Sequence, residues 1–378
     1  MNTWKILREL KPVVLMVLVQ IAYAAANVFY KIATNDGMSI RVVTSYRLIV
    51  GAAFSFPLAL VLERKNRPKL TRRVLFMSFC CGLFGGSLFQ NLFFTALALV
   101  SATFASAVYN LIPVITFILA VLCRLERLNM GTIAGKVTIL GTITGVVGSM
   151  ILIFFKGVEI NIWNVHINLL HGNQNNNHVG TTNADSIQRI VGVLCGLGSC
   201  FSFSLWLIIH TKMCKEYPCY YSSTTLMNLM GAIQATIFAL CVEKDLNQWK
   251  LGWNFRLLTA AYSGIVTSGL VFIVTAWCVR KKGPVYASAF NPLNLLIVAI
   301  AASLLLDETL YVGSVIGGVL IVGGLYMVLW GKSKETNFIA KDFEGSTEVV
   351  VMCKTSDHDS VTEATIASPN TRSNSIVT

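Results

Sequence analysis

The chain has 378 residues, 54% of them hydrophobic and 13% charged, and carries a formal net charge of +12. So little polar surface excludes a string of soluble domains and defines an all-α, polytopic membrane protein. In that class a basic balance concerns orientation in the bilayer, so a nucleic-acid partner is not expected.

Crossing about 30 Å of hydrocarbon takes roughly 20 apolar residues as helix. Ten such runs fall near 13–34, 42–62, 74–98, 101–122, 133–155, 190–211, 220–242, 257–279, 284–306 and 311–330. Backbone amides find no water in lipid, so spans of this length form helices, and a barrel is excluded. The partition expected is a cytoplasmic segment 1–12, a first five-helix repeat 13–155, a polar extracytoplasmic loop 156–188, a second five-helix repeat 189–331 and a disordered cytoplasmic tail 332–378. The basic start followed by Ala22, Ala24 and Ala26 imitates a secretory signal. Cleavage there would leave nine spans and break the two-repeat plan, so the segment is read as retained.

Polar residues inside spans are costly, about 2.5–3.5 kcal/mol for a charge at mid-helix, and therefore informative. Lys31 and Arg47, in spans 1 and 2, have two readings. Their stems snorkel to headgroups, or they line the outer mouth and attract a carboxylate. In span 4 Asn110 precedes Pro113, and in span 9 Asn291, Pro292 and Asn294 occupy the matching stretch. Each proline lacks an amide proton and obstructs a carbonyl one turn back, which frees that carbonyl for a neighbour or a cavity. Together with Asn27, Gln90, Asn91, Thr95, Tyr109, Trp206 and Thr267, these side chains form a candidate polar site at the midplane. The competing reading is ordinary interhelical hydrogen bonding. Glu126 and Glu308 close spans 4 and 9, either as gate residues or as interfacial anchors.

Small residues four apart, at Gly131/Gly135, Gly141/Gly145, Gly192/Gly196 and Gly313/Gly317, mark helix faces for close packing. Most cysteines lie in or beside spans, where a thiol acts as a small apolar group, so no disulfide framework is implied. His166, His171 and His178 share the polar loop, His210 ends a span and His358 is in the tail. That is no convergent catalytic or metal-binding set, so no enzyme, cofactor or metal site is expected. Beyond Gly331 the chain turns rich in Ser, Thr and acidic residues, the composition of a solvated tail.

Residues 105–141 align without a gap onto 287–323 with 15 of 37 pairs identical, among them Ala105-Ser106-Ala107 with Ala287-Ser288-Ala289, Glu126 with Glu308 and Gly141 with Gly323. The chain is thus one unit written twice. Five spans per copy is odd, so the second copy enters the bilayer from the opposite side, and inverted repeats of this kind build alternating-access transporters. With a cytoplasmic N-terminus, 19 Lys and Arg fall in inner segments and 6 in outer ones, which places both termini in the cytoplasm.

The stretches YRLIVGAAFSFPLALVLERKNRPKLT at 46–71, NLIPVITFILAVLCRLERLN at 110–129, GSCFSFSLWLI at 198–208, WCVRKKGPVYASAFNPL at 277–293 and GLYMVLWGKSKE at 324–335 carry a further signal. Over residues 1 to 335 the chain resembles the plant Walls-Are-Thin-related (nodulin-like, EamA-type) branch of the drug/metabolite transporter superfamily. It departs from that pattern at His210-Thr211-Lys212 and at Asp307. The resemblance implies two five-helix EamA units around a central cavity. It also implies a small-molecule solute of the amino-acid or auxin-like class, and the plasma membrane or the vacuolar membrane as the site. Two alternatives stand beside it: a nucleotide-sugar or sugar-phosphate transporter, which calls for several cavity cations, and a receptor or scaffold that moves nothing.

Overall fold

The structure, a computed structural model, describes residues 3–65, 67–100, 107–125, 132–155, 159–160, 183–251, 254–305 and 310–356. Residues Met1–Lys332 make one compact unit and Ser333–Thr378 a second. In chain order the helices are α1 (Thr3–Asn35), α2 (Ile40–Leu62), α3 (Arg72–Leu99), α4 (Ala107–Leu122), α5 (Ile133–Phe154) and α6 (Asn183–Glu216). They continue with α7 (Tyr220–Val242), α8 (Phe255–Lys282), α9 (Pro284–Ser288 and then Asn291–Leu305) and α10 (Val312–Ser356). Among the described residues eight of these are long and apolar enough to cross a membrane, and α4 and α9 are the two shorter apolar helices.

Helices α4 and α9 are each broken near a proline. Near the prolines the hydrogen-bond ladder tightens to three-residue steps. Asn110 N donates to Ala107 O at 3.2 Å and Leu111 N to Val108 O at 2.9 Å; Phe290 N donates to Ala287 O at 3.4 Å and Leu293 N to Phe290 O at 3.0 Å. Both helices turn there, because a proline cannot donate and its ring crowds the preceding turn. The breaks that Pro113 and Pro292 forecast are present, and each divides an apolar run into shorter pieces.

A repeat is visible in local geometry as well as in sequence. Helix α3 carries a π-helical turn at Gly82–Leu88, and α8 carries one at Ser263–Val271, which covers the positions 182 residues further on. In α2 the buried positions run from Val42 to Ala59, and each has a buried counterpart 180 residues later in α7, from Ser222 to Ala239.

Helices α2 and α7 pack antiparallel. At one end the Glu63 carboxylate accepts hydrogen bonds from Tyr221 N at 3.0 Å and Ser222 N at 2.7 Å. It thereby satisfies two of the orphan amides in the first turn of α7 and meets the positive end of that helix dipole. At the other end Arg41 pairs with Glu243 at 4.0 Å. The same end is tied by Tyr46 Oη donating to Trp249 O at 2.7 Å and by the Arg256–Asp36 ion pair at 2.9 Å.

Helices α5 and α10 also run antiparallel, through glycine. A methyl group added at Gly324 would meet Gly141 O and Gly145 N at 2.6 Å, one at Gly148 would meet Gly317 O at 2.9 Å, and one at Gly331 would meet Ala134 O at 2.8 Å. Among the glycine pairs read from the sequence, Gly141, Gly313 and Gly317 lie in this seam, while Gly131 is outside the described residues. A short antiparallel pairing of Glu159–Ile160 with Leu310–Tyr311 joins the chain beyond α5 to the start of α10. Two helix bounds differ from the composition boundaries. Helix α6 starts at Asn183, inside the segment read as polar loop, and α10 continues through Ser356, past Gly331, over a stretch free of helix-breaking proline.

Because the seam leaves no room at Gly324, Gly324→Leu is expected to cost about 1–3 kcal/mol of packing strain and to lower the thermal midpoint of the detergent-purified protein. Gly323→Leu, with open space around it, serves as the control and is expected to leave the midpoint unchanged.

Candidate functional site

Helices α1, α2, α3, α4, α6, α8 and α9 surround a cavity of about 180 Å³. Helix α1 contributes Tyr23, Ala26, Asn27 and Tyr30; α2 contributes Arg47; α3 contributes Gly85, Phe89, Gln90, Phe93 and Phe94. Tyr109 and Asn110 come from α4, Phe203 and Trp206 from α6, Phe272 from α8, and Asn291, Asn294, Leu295 and Val298 from α9. Asn27 is exposed, whereas Arg47, Gln90, Asn110 and Asn291 are buried. The two helix breaks thus bring Asn110 and Asn291 to one cavity, as their positions beside prolines imply.

Arg47 is the central finding. Its side chain is 5% exposed, and its Nε and Nη2 atoms have no hydrogen-bond partner. Those two atoms form one edge of the guanidinium, the side-on fork that a carboxylate grips with two parallel hydrogen bonds. A buried cation with idle donors carries a desolvation penalty of several kcal/mol that only an anion or strong acceptor offsets. Gln90 Oε1, Asn291 Nδ2, Asn294 Oδ1 and Tyr30 Oη are also unpartnered. These atoms turn unengaged donors and acceptors to one cavity, the arrangement by which a site holds a polar solute.

The remaining wall is aromatic. Phe89 lies 5.0 Å from Phe203 and 6.2 Å from Tyr109, Phe93 lies 5.6 Å from Tyr109, and Phe94 meets Tyr30 edge-on at 6.5 Å. Trp206 packs against Phe203 at 5.1 Å and Phe272 at 5.2 Å, and its Nε1 donates to Met227 Sδ at 3.1 Å. A cavity with aromatic faces and a few convergent polar groups is the ordinary form of a small-molecule site.

The other residues read from the sequence are placed elsewhere. Asn91 Nδ2 donates to Ser87 O at 2.8 Å and Thr95 Oγ1 to Asn91 O at 2.8 Å, so both are satisfied by their own helix. Thr267 is buried in the π-helical turn of α8, where its hydroxyl donates to Ser263 O. Pro113 sits in the first turn of the second piece of α4, and Pro292 lies beside Asn291 in α9; both are buried, and neither lines the cavity. Arg47 faces the cavity, which rules out the headgroup-snorkelling alternative for it. The Lys31 side chain, Glu126 and Glu308 lie outside the described residues, as do His166, His171 and His178. Of the aromatic wall, sequence reasoning named Tyr109 and Trp206, both of which line the cavity, and missed Phe89, Phe93, Phe94, Phe203, Phe272 and the tyrosines Tyr23 and Tyr30. Within apolar spans an aromatic ring has no contrast against its neighbours; the recurrence of Phe89 with Phe93 and of Phe203 with Trp206 on shared helix faces is the one signal available.

A bundle of apolar helices enclosing a mixed aromatic and polar cavity is the build of a polytopic membrane protein with an internal cavity. The EamA-like transporter family matches residues 10–154 and 190–330, and the chain belongs to that family, a group of membrane transporters in the drug/metabolite superfamily. It is 44% identical to the WAT1-related protein At1g68170 of Arabidopsis thaliana over 86% of this chain and 91% of the relative. It is 41% identical to WAT1-related protein At1g25270 of the same organism over 86% and 91%, and 37% identical to WAT1-related protein At5g13670 over 90% of each. A protein crystal structure with 15% sequence identity superposes with a TM-score of 0.62, covering 84% of this chain and 98% of that one, which is a likeness of fold.

The division between lining and non-lining residues is testable. Gln90→Ala and Asn291→Ala are each expected to raise the KM of transport about tenfold, the size of one lost buried hydrogen bond. Asn91→Ala and Thr95→Ala are expected to leave it unchanged, with counterflow at matched protein levels as the readout.

Proposed function

We propose that this protein moves a small organic carboxylate of the amino-acid or auxin-like class across a membrane by alternating access. The observation that carries the reading is the side-on edge of Arg47, buried, idle and turned to an aromatic cavity. Such a site binds an anionic head by two charge-assisted hydrogen bonds and receives a planar or apolar body on ring faces. A nucleotide sugar or sugar phosphate fits less well. Among the described lining residues Arg47 is the single cation, and a phosphate ester calls for more charge.

The architecture proposed is ten crossings in two inverted five-helix halves, 13–155 and 189–331, joined by the loop 156–188. Several observations support it. The π-helical turns recur at one spacing, and the buried faces of α2 and α7 recur at another. Parity supports it too. The residues after α2 and those before α7 meet at one end of the bundle through Glu63, so an even number of crossings separates them. Helices α3, α5 and α6 supply three, and α4 is the segment left to supply the fourth. By the same reasoning α10 runs antiparallel to α5 only if α9 crosses. The distribution of Lys and Arg favours cytoplasmic termini, and with that orientation Asn27, in the second half of α1, lies toward the outer face. The resemblance to the Walls-Are-Thin-related branch supports the plasma membrane, with the vacuolar membrane second.

The test is counterflow in proteoliposomes against labelled amino acids, auxins and nucleobases. Arg47→Met, which installs the residue type that Met227 presents at the equivalent position of α7, is expected to cut uptake of carboxylates roughly ten- to a hundredfold. Neutral solutes are expected to lose far less. An equal loss for charged and neutral solutes would overturn the carboxylate assignment.

A further inference from the structure

Trp206 forms part of the cavity wall deep in α6, and it is held. It is 1% exposed, its Nε1 is engaged by Met227 Sδ, and its indole packs against the Phe203 and Phe272 rings and stacks on His210 at 5.4 Å with a 20° interplanar angle. It also lies against the backbone of α3. A Cβ at Gly85 would overlap Cδ1 and Cγ of the indole and come within 2.6 Å of its Nε1. Gly85 also lines the cavity, within the π-helical turn Gly82–Leu88. The indole reaches its position because the residue opposite has no side chain, and the position 182 residues later, in the other π-helical turn, holds Thr267.

We propose that the Gly85–Trp206 contact is the size filter of the cavity. It sets how far a carboxylate gripped at Arg47 extends its ring system before meeting the indole. This rests on the carboxylate reading of Arg47. The cargo class that follows is a monocarboxylate carrying a compact planar ring system, which stacks on the Phe93, Phe94 and Tyr109 faces and ends against Trp206. Any side chain at position 85 pushes the indole away from α3, and with Phe203, Phe272 and His210 packed against it the space it takes is cavity space. A smaller ring at position 206 deepens the cavity instead. The limit is steric, so it acts on the length of the cargo and is indifferent to its charge.

The experiment is counterflow by the reconstituted full-length protein with a graded series of aryl acids of one, two and three fused rings, alongside their uncharged amides. Gly85→Ala is expected to reduce kcat/KM for the two-ring acid at least about tenfold while the one-ring acid stays within about threefold, the scale on which a pocket discriminates by shape. Trp206→Phe is expected to shift the cut-off upward, so that the three-ring acid is carried, and the double variant is expected to regain the two-ring acid. A uniform change across the series in both single variants, or a double variant without rescue, would overturn the filter. Should Gly85→Ala not accumulate as folded protein, Trp206→Phe decides alone, and an unmoved cut-off overturns the proposal. The amides separate the two ideas. If the carboxylate reading fails, acids and amides are carried alike with the size cut-off intact; if the filter fails, acids are preferred and the cut-off does not respond to either substitution.

Discussion

A helix in hydrocarbon must satisfy every polar group it carries, and this requirement organises the molecule. Hydroxyls along the spans are returned to their own backbone one turn earlier: Ser55 to Gly51 at 2.7 Å, Thr142 to Thr138 at 2.9 Å, Ser149 to Gly145 at 2.8 Å and Ser263 to Thr259 at 2.6 Å. Glu63 turns its carboxylate to the amides of α7, and Asn228 Nδ2 donates to Ser268 O at 2.7 Å. Against that background of local satisfaction, the idle edge of Arg47 and the idle atoms of Gln90, Asn291 and Asn294 stand together around one space. Idle buried atoms occur elsewhere too, at His210 and at Asn228 Oδ1, but around the cavity they include a cation, and the carboxylate proposed as cargo would meet its idle edge.

The same constraint explains why a glycine-rich chain holds its shape. Lipid gives helices no hydrophobic reason to associate, so close backbone approach supplies the packing energy. Helices α5 and α10 achieve it through Gly141, Gly148, Gly317 and Gly324, and α2 and α7 sit at comparable proximity to the π-helical turns through Gly51 and Gly231. Glycine at 82 lets α3 lie against Gly231 of α7, where an added Cβ would meet Gly231 N at 2.5 Å. Beside these two close-packed pairs, α1, α3, α4, α6, α8 and α9 line the cavity together with Arg47 of α2. The two copies also differ at the cavity. Arg47 faces the cavity where its counterpart in α7 is Met227, an acceptor for the Trp206 indole, so one copy provides the charge and the other anchors the wall.

Much of this was legible in the chain. Apolar run length located the helices, because bilayer thickness dictates it, and the 182-residue spacing read from the sequence recurs between the π-helical turns of α3 and α8, while the buried faces of α2 and α7 recur at 180. Asn110 and Asn291 were identifiable because a polar side chain beside a proline in an apolar run is costly unless it faces a polar space. Asn91 and Thr95 look equivalent to Gln90 in sequence, yet side-chain length and helical phase separate them: a residue that reaches back to its own turn is indistinguishable in one dimension from one that faces a cavity. Arg47 was identifiable as an anomaly but not by direction, since snorkelling and cavity lining share the same depth. Tyr109 and Trp206 were legible through their polar atoms, but the phenylalanines of the aromatic wall were not, because hydrophobic contrast vanishes where every neighbour is apolar. Helix α10 runs past its apolar segment because composition records where burial stops, whereas a helix stops only where a breaker or cap intervenes.

The central claim is a shared cavity, entered near Asn27 and completed by a carboxylate at Arg47. It is tested most directly by placing a single cysteine at Asn27 in a cysteine-free background and labelling it with a membrane-impermeant thiol reagent in oriented vesicles. The account predicts labelling from the face opposite the termini, and protection when an aryl carboxylate is present but not when its amide is. Labelling that ignores the carboxylate, or that occurs only from the side of the termini, would contradict it.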